Sequence, residues 1–261
     1  NNGKELLKCV NQYIDQWGLE EAFRAYINDK CTFYSALYHC MTAPYLYSDI
    51  DGRYRGTDNQ IHRTEARADG SMHNIYTVFS LWDTYRTLHP LLTIIDPQRT
   101  EDFIYTFLKH YEQGGELTMW ELSSHETHCM IGYHSAPVIL EAWNAGILDS
   151  WSSERKNKLI EGLVVTSNRT EAHRKYGKEG FLNSEYDNES VSKTLEYAYD
   201  DWCIAQCAKL MGNDSVYNIY IRRSQSWQNI MNEDGLVFPE NFKQLEFSVI
   251  FKLFERLFNY I

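Results

Sequence analysis

The sequence predicts an all-α fold of paired antiparallel helices. Three observations carry this. Apolar residues recur at helical spacing from end to end, Gly, Asn and Pro signals interrupt them every about 12–25 residues, and strand signals are few and short. Short turns without a repeated motif leave two arrangements open, an α/α toroid or an irregular helical array.

Taken in order, helices are expected over residues 4–16, 19–41 and 75–94. Asp96 before Pro97 suits an N-cap and first-turn pair. Phe103, Ile104, Phe107, Leu108 and Tyr111 then keep helical spacing until Gly114 and Gly115. Further runs cover 130–145, closed by Gly146, and 151–176, closed by Gly177. The clearest helix is 190–211, where Val191, Leu195, Ala198, Trp202 and Ala205 step by four and three into one apolar stripe. At about 100° per residue, Asp201 falls about 80° from the centre of that stripe and Asp200 falls on the opposite side. Gly212 and Asn213 break it before a helix over 215–231, and an amphipathic helix is expected over 247–261. The one long irregular stretch is 48–71, rich in Gly and Asp, and loops of that length inside domains are often functional.

Composition narrows the function classes. Of 261 residues, 43% are hydrophobic and 15% aromatic, enough for a sizeable core with rings to spare for stacking on sugars. The net charge of −11, without any Lys/Arg-rich run, argues against a nucleic-acid partner, because phosphate binding needs clustered cations. No membrane span is expected: the apolar stretch 247–261 is short and carries Lys252, Glu255 and Arg256. Six cysteines include no CxxC pair, and Cys203 and Cys207 read as small core residues. Sequons at Asn168, Asn188 and Asn213 are compatible with a secreted, periplasmic or secretory-pathway location.

His125, Glu126, Thr127 and His128 imitate a zinc-peptidase site, but the histidines are three apart where HExxH needs four. Carboxylates beside large rings are more informative: Trp82 with Asp83, Trp120 with Glu121, and Asp200 and Asp201 between Tyr199 and Trp202. Glycosidases need two carboxyl groups across a sugar, in a cleft shaped by rings. An α/α glycosidase using Glu121 or Glu126 with Asp200 or Asp201 is one reading. Acids at the edge of apolar helix faces, solvated or hydrogen-bonded, are the plain alternative.

Four long strings then carry a resemblance: FYSALYHCMTAPYLYSDIDGRYRG from Phe33, YTVFSLWDTYRTLHPLLTIIDPQRTEDFI from Tyr76, WELSSHETHCMIGYHSAPVI from Trp120 and ESVSKTLEYAYDDWCIAQ from Glu189. In this order they resemble glycoside hydrolase family 92. The resemblance implies an inverting, calcium-dependent exo-α-mannosidase, with α-1,2-linked mannose of glycans as substrate, built from a β-sandwich and an (α/α)6 barrel. The chain is then expected to be an incomplete (α/α)6 toroid. Lead-in helices would occupy 1–31, the family-like helical part 32–231, and a divergent helix 232–261. The resemblance places Trp82 and Asp83 in the wall of the mannose pocket, with Asp51, Arg53, Glu121, Glu126, Asp200 and Asp201 as supporting residues of the cleft.

The departures matter as well. The strings resembling the family's general acid (EGNAWQ) and general base (NEDxGQ) are missing; Asn232, Glu233, Asp234 and Gly235 are only a partial likeness. His125 stands where the family usually has Asn. The expectation is that catalytic and calcium-binding residues lie downstream of Ile261 and that this polypeptide alone is inactive. On that reading it is a catalytically incomplete fragment, a carbohydrate-binding or non-functional helical remnant.

Overall fold

In a computed structural model, described residues are 18–185, 187–232 and 234–238, with Lys4, Glu5, Lys8, Cys9 and Gln12. The helix expected over 247–261, and most of that over 4–16, lie outside the described residues. Two compact units result, residues 1–44 and 45–261. The first contributes helix α1 (Leu19–Cys40), one residue shorter than its apolar run suggested.

The second unit begins with short strands: β1 (Tyr45–Leu46), β2 (Arg53–Arg55), β3 (Ile61–Arg63), β4 (Tyr76–Thr77) and β5 (Phe79–Ser80). Two short helices follow, α2 (Leu81–Thr84) and α3 (Leu88–Ile95), then the long α4 (Pro97–Gly114). A hairpin of β6 (Trp120–Leu122) and β7 (His125–Glu126) leads into helices α5 (Ser135–Asn144), α6 (Ser153–Thr166), α7 (Glu171–Glu179), α8 (Ser190–Leu210) and α9 (Asp214–Arg223). A 3-10 turn closes the series (Ser226–Ile230). The molecule is thus mainly helical, with small antiparallel sheets β1–β4, β2–β3 and β5–β6–β7.

Helix ends follow local chemistry. Asp96 accepts the Arg99 N–H with Pro97 in the first turn of α4, and Gly115 (φ 83°) ends that helix. Ser152, Thr170 and Asn213 cap α6, α7 and α9 in the same way. The Thr170 cap also explains why 151–176 is two helices rather than one: Ser167 and Thr170 stop one and start the next.

Two further expectations are corrected. Residues 75–94 are not one helix, because β-branched and aromatic residues 76–80 pair with β1 and β6, and Val78 sits at φ 66°. The helix over 130–145 begins only at Ser135. Met130 and Gly132 have positive φ, and the Tyr133 N–H is taken by the Asp200 carboxylate at 2.7 Å.

Helix α8 is the spine of the second unit, packed by α5, α6 and α9, while α3 and α4 pack on each other and on α5. Many large rings are buried in the second unit. Phe79 meets Phe103 and Phe107 edge-on, and Tyr133 stacks on Tyr197 beside Tyr176 and His173. Cys203 and Cys207 are fully buried on α8, as small core residues. The stretch 48–71 is pinned rather than loose. Arg67 pairs with Asp102 and Glu101 of α4, and Asp102 also binds His73 Nδ1 (3.0 Å) and the Asn74 N–H (3.1 Å).

His89 on α3 is buried against Phe103, and neither ring nitrogen has a partner among the described residues. Burial holds its pKa down to about 3, and those of His110 and His173 to about 4. Stability from these neutral rings is complete above their ordinary pKa of about 6.5 and is lost as pH falls through it toward 3–4. Replacing His89 with leucine removes two unpaired buried nitrogens, costing about 1–3 kcal/mol together. His89→Leu is expected to raise Tm by a few degrees at pH 7.5 and by more at pH 5, measured by scanning calorimetry.

Candidate functional site

The candidate sugar wall is built where β5 runs into α2. Strand β5 pairs Ser80 with Trp120 and Phe79 with Glu121 of β6, which fixes the backbone that presents Trp82 and Asp83. Trp82 is half-buried and Asp83 exposed, in the first turn of α2. The Ser80 hydroxyl donates to the Asp83 carboxylate and, among the described residues, leaves the other carboxylate oxygen open for hydroxyl donors. The indole N–H of Trp82 is buried without a partner among the described residues. An apolar ring face beside a carboxylate acceptor suits a pyranose, which offers C–H groups on one side and hydroxyls around its edge.

Glu121 sits behind this wall, 1% exposed. Its carboxylate accepts from the Thr77 hydroxyl (2.9 Å), the Val78 N–H (3.1 Å) and the Ser124 N–H (2.5 Å). Val78 at φ 66° is strained for a β-branched residue, and Ser123 and Ser124 (φ 51° and 66°) form a turn more usually made with glycine. Glu121 therefore holds two costly backbone conformations, one at Val78 shortly before Trp82 and one in the β6–β7 turn. Burial, opposed by those donors, pushes its pKa up to about 7.

Glu126 is bound as firmly, accepting the N–H groups of Met119 (2.7 Å), Trp120 (2.8 Å) and His128 (3.1 Å). Glu121 and Glu126 join Glu116, His110, His128 and Arg169 around a polar cavity of about 160 Å³. Glu116, its pKa raised to about 7 by burial, pairs with Arg169. Neither Trp82 nor Asp83 lines this cavity.

Asp200 and Asp201 are fully buried, against the angular reading that put them on different sides of α8. The reason is polar rather than apolar. Asp200 accepts the Tyr133 N–H and lies 2.8 Å from His134 Nδ1, while Asp201 accepts the Tyr133 hydroxyl (2.7 Å) and Arg223 Nε (2.9 Å). Burial raises both pKa values, Asp201 to about 6 despite the neighbouring guanidinium. The face left open on α8 carries Leu195, Tyr199, Trp202 and Leu210, 37–51% exposed.

Asp51 and Arg53 pair with each other at 2.6 Å on an exposed turn, where the Arg53 N–H helps lower the Asp51 pKa. Gly52 makes the turn possible (φ 80°), since a Cβ there would come within 2.7 Å of Thr64 Oγ1. Of the residues singled out in the sequence, the structure brings Trp82 and Asp83 next to the β6 strand of Glu121, pairs Asp51 with Arg53 on an exposed turn and buries Asp200 and Asp201 on α8. Sequence reading missed Arg86 and Glu196. Arg86 donates to the Trp82 carbonyl and to Glu196, and Glu196, four residues before Asp200, shares its helix face. That spacing was the available signal.

Glu121, Glu126, Asp200 and Asp201 all take polar partners inside the protein, from backbone N–H groups, the Thr77 and Tyr133 hydroxyls, His134 and Arg223. Among the described residues, no three His, Cys, Asp or Glu side chains converge as metal ligands. Among the described residues no helix is long and apolar enough to cross a membrane.

Comparison with known proteins adds to this geometry. Residues 20–255 match the glycosyl hydrolase family 92 catalytic domain. A family GH92 α-mannosidase from Bacteroides thetaiotaomicron, solved also with mannoimidazole, is 34% identical and superposes with a TM-score of 0.73 over 81% of this chain and 28% of its own. A family GH92 inverting mannosidase from the same organism (strain VPI-5482) is 27% identical, with a TM-score of 0.70 over 80% of this chain and 28% of its own. An uncharacterized secreted glycosidase of Arthroderma benhamiae is 33% identical over 58 residues, 22% of this chain and 7% of its own length. The chain spans little more than a quarter of the solved relatives it matches.

Proposed function

Because the chain belongs to glycosyl hydrolase family 92, we propose that the whole protein removes terminal α-linked mannose from glycans, with this chain supplying one wall of the mannose pocket. The observation that carries this is Trp82 beside Asp83, an accessible ring and an open carboxylate on a short helix held by β5 and β6. The substrate follows from the similarity to α-mannosidases, one of them solved with mannoimidazole. We assign the finer chemistry as α-1,2 preference and inversion, in which an acid protonates the leaving oxygen while a base activates water on the opposite face. A calcium ion held by residues beyond those described would grip sugar hydroxyls. A secreted, periplasmic or secretory-pathway location agrees with glycan substrates and with the secreted relative.

The same acids support a second part of the proposal, that this 261-residue chain is catalytically incomplete. Each interior carboxylate is committed to backbone or guanidinium donors. The open face of α8 fits a helical toroid that continues beyond these helices.

The test is mannose release from α-1,2-mannobiose, with and without calcium. The whole protein is expected to turn over and its Trp82→Ala variant to lose at least tenfold in kcat/KM, while the 261-residue chain shows no turnover. Losing either the acid or the base alone removes about 10²–10⁴-fold. Turnover by the short chain that disappears in Glu121→Gln or Glu126→Gln would move the catalytic centre into it.

A further inference from the structure

We propose that Glu196 is a positioning residue for the Trp82 wall, acting through Arg86 and Tyr85; this rests on the reading of Trp82 as part of the sugar subsite. Arg86 touches Trp82 twice. Its Nη1 donates to the Trp82 carbonyl at 3.1 Å, and its guanidinium carbon lies 5.7 Å from the centre of the Trp82 ring. It also lies 4.3 Å over the Tyr85 ring. A guanidinium that is half exposed would ordinarily sample many positions. One bond restrains it from the other side: Nη2 donates to Glu196 Oε1 at 2.8 Å. The other oxygen, Oε2, accepts the Tyr85 hydroxyl at 3.1 Å.

Glu196 is itself held. It projects from α8, only 16% exposed, with His134 Nε2 3.4 Å from Oε2. His134 stacks on Tyr85 (4.2 Å between centroids) and contacts Asp200 through Nδ1 at 2.8 Å. Asp200 in turn accepts the Tyr133 N–H. The chain of contacts thus runs from the buried spine helix through Asp200, His134 and Glu196 to Arg86 and the Trp82 backbone. With both oxygens engaged inside the protein, Glu196 acts on the sugar only through its partners.

A residue that fixes a ground-state wall governs binding more than chemistry. The experiment measures kcat and KM on α-1,2-mannobiose for the whole protein, with Tm recorded for each variant. Glu196→Ala and Arg86→Ala are each expected to raise KM about tenfold with kcat changed less than about threefold, the size of one charge-assisted contact. The double variant is expected to be no worse than either single one, because the two residues work as one device. Glu196→Gln keeps an acceptor and should recover most of the loss. A KM unchanged in both single variants, while Trp82→Ala raises it, overturns the positioning role and leaves the subsite intact. A KM unchanged in Trp82→Ala overturns the subsite reading itself. If Glu196→Ala fails to fold, exposed Arg86→Ala decides the question alone.

Discussion

Asp201→Ala should cost about 3–5 kcal/mol of stability, the range for removing one partner of a buried ion pair. Arg223 is 10% exposed at its side chain and, among the described residues, would keep the Asn168 side chain (3.0 Å) and the Ser167 carbonyl (3.4 Å) as acceptors. The Tyr133 hydroxyl would lose its 2.7 Å acceptor and fall back on the Tyr197 carbonyl at 3.3 Å. Helices α5, α8 and α9 meet at this point, so the loss is expected to show as a lower urea midpoint with an unchanged slope. Asp201→Asn keeps an acceptor for Tyr133 and should lose less than the alanine variant. An unfolding free energy within about 0.5 kcal/mol of wild type in Asp201→Ala would show that the pair carries no net load.

Glu121 gives the second large effect. Glutamine is nearly the same shape, yet its amide must turn an NH2 toward Val78 N–H on one side or toward Thr77 and Ser124 on the other. A donor facing a buried donor costs about 1–3 kcal/mol, and Glu121→Ala, which strands three donors, should cost about 3–5 kcal/mol. The strain at Val78 supplies a control. Val78→Gly permits φ 66° without a Cβ penalty and should return about 1 kcal/mol in the Glu121→Gln background. Thermal denaturation of the two single variants and the double variant checks this. Additive destabilisation by Val78→Gly would contradict the role assigned to Glu121. The pH dependence has a definite sign too. With Glu121 and Glu116 raised to about 7, their contribution is complete below the ordinary carboxylate range near pH 4 and lost as pH rises through 7. That opposes the buried histidines, so only the interval above about pH 6.5 reports the carboxyl groups alone.

Where capping and spacing agreed, as at Asp96, Pro97 and Gly115 around α4, the helix was legible from residues alone. Along α8 the helix was legible by its period, but Leu195 and Trp202 of its apolar stripe lie on the open face. Legibility failed where side chains spend backbone groups out of register. Val78 and Ser124 give their N–H groups to Glu121 and Tyr133 gives its own to Asp200, a partner 67 residues away. No local pattern announces such bonds. The same cause explains Asp200. Angular position on α8 implied exposure or a cleft, whereas tertiary hydrogen bonds to Tyr133 and His134 buried it. Trp82 and Asp83 could be singled out because a ring beside an acid is visible in the string, but Glu196 and Arg86 are 110 residues apart and meet only in the fold.

The most direct test of the account is a calorimetric titration of methyl α-mannoside into the whole protein and its Asp83→Ala variant, with Tm recorded for both. Asp83 is exposed and bonded only to Ser80 Oγ among the described residues, so its loss should leave Tm within about 2 °C. Binding is expected to weaken at least tenfold. Unchanged affinity in Asp83→Ala, with affinity lost instead in a folded Glu121→Gln, would contradict the division between an exposed sugar wall and buried acids that hold the fold.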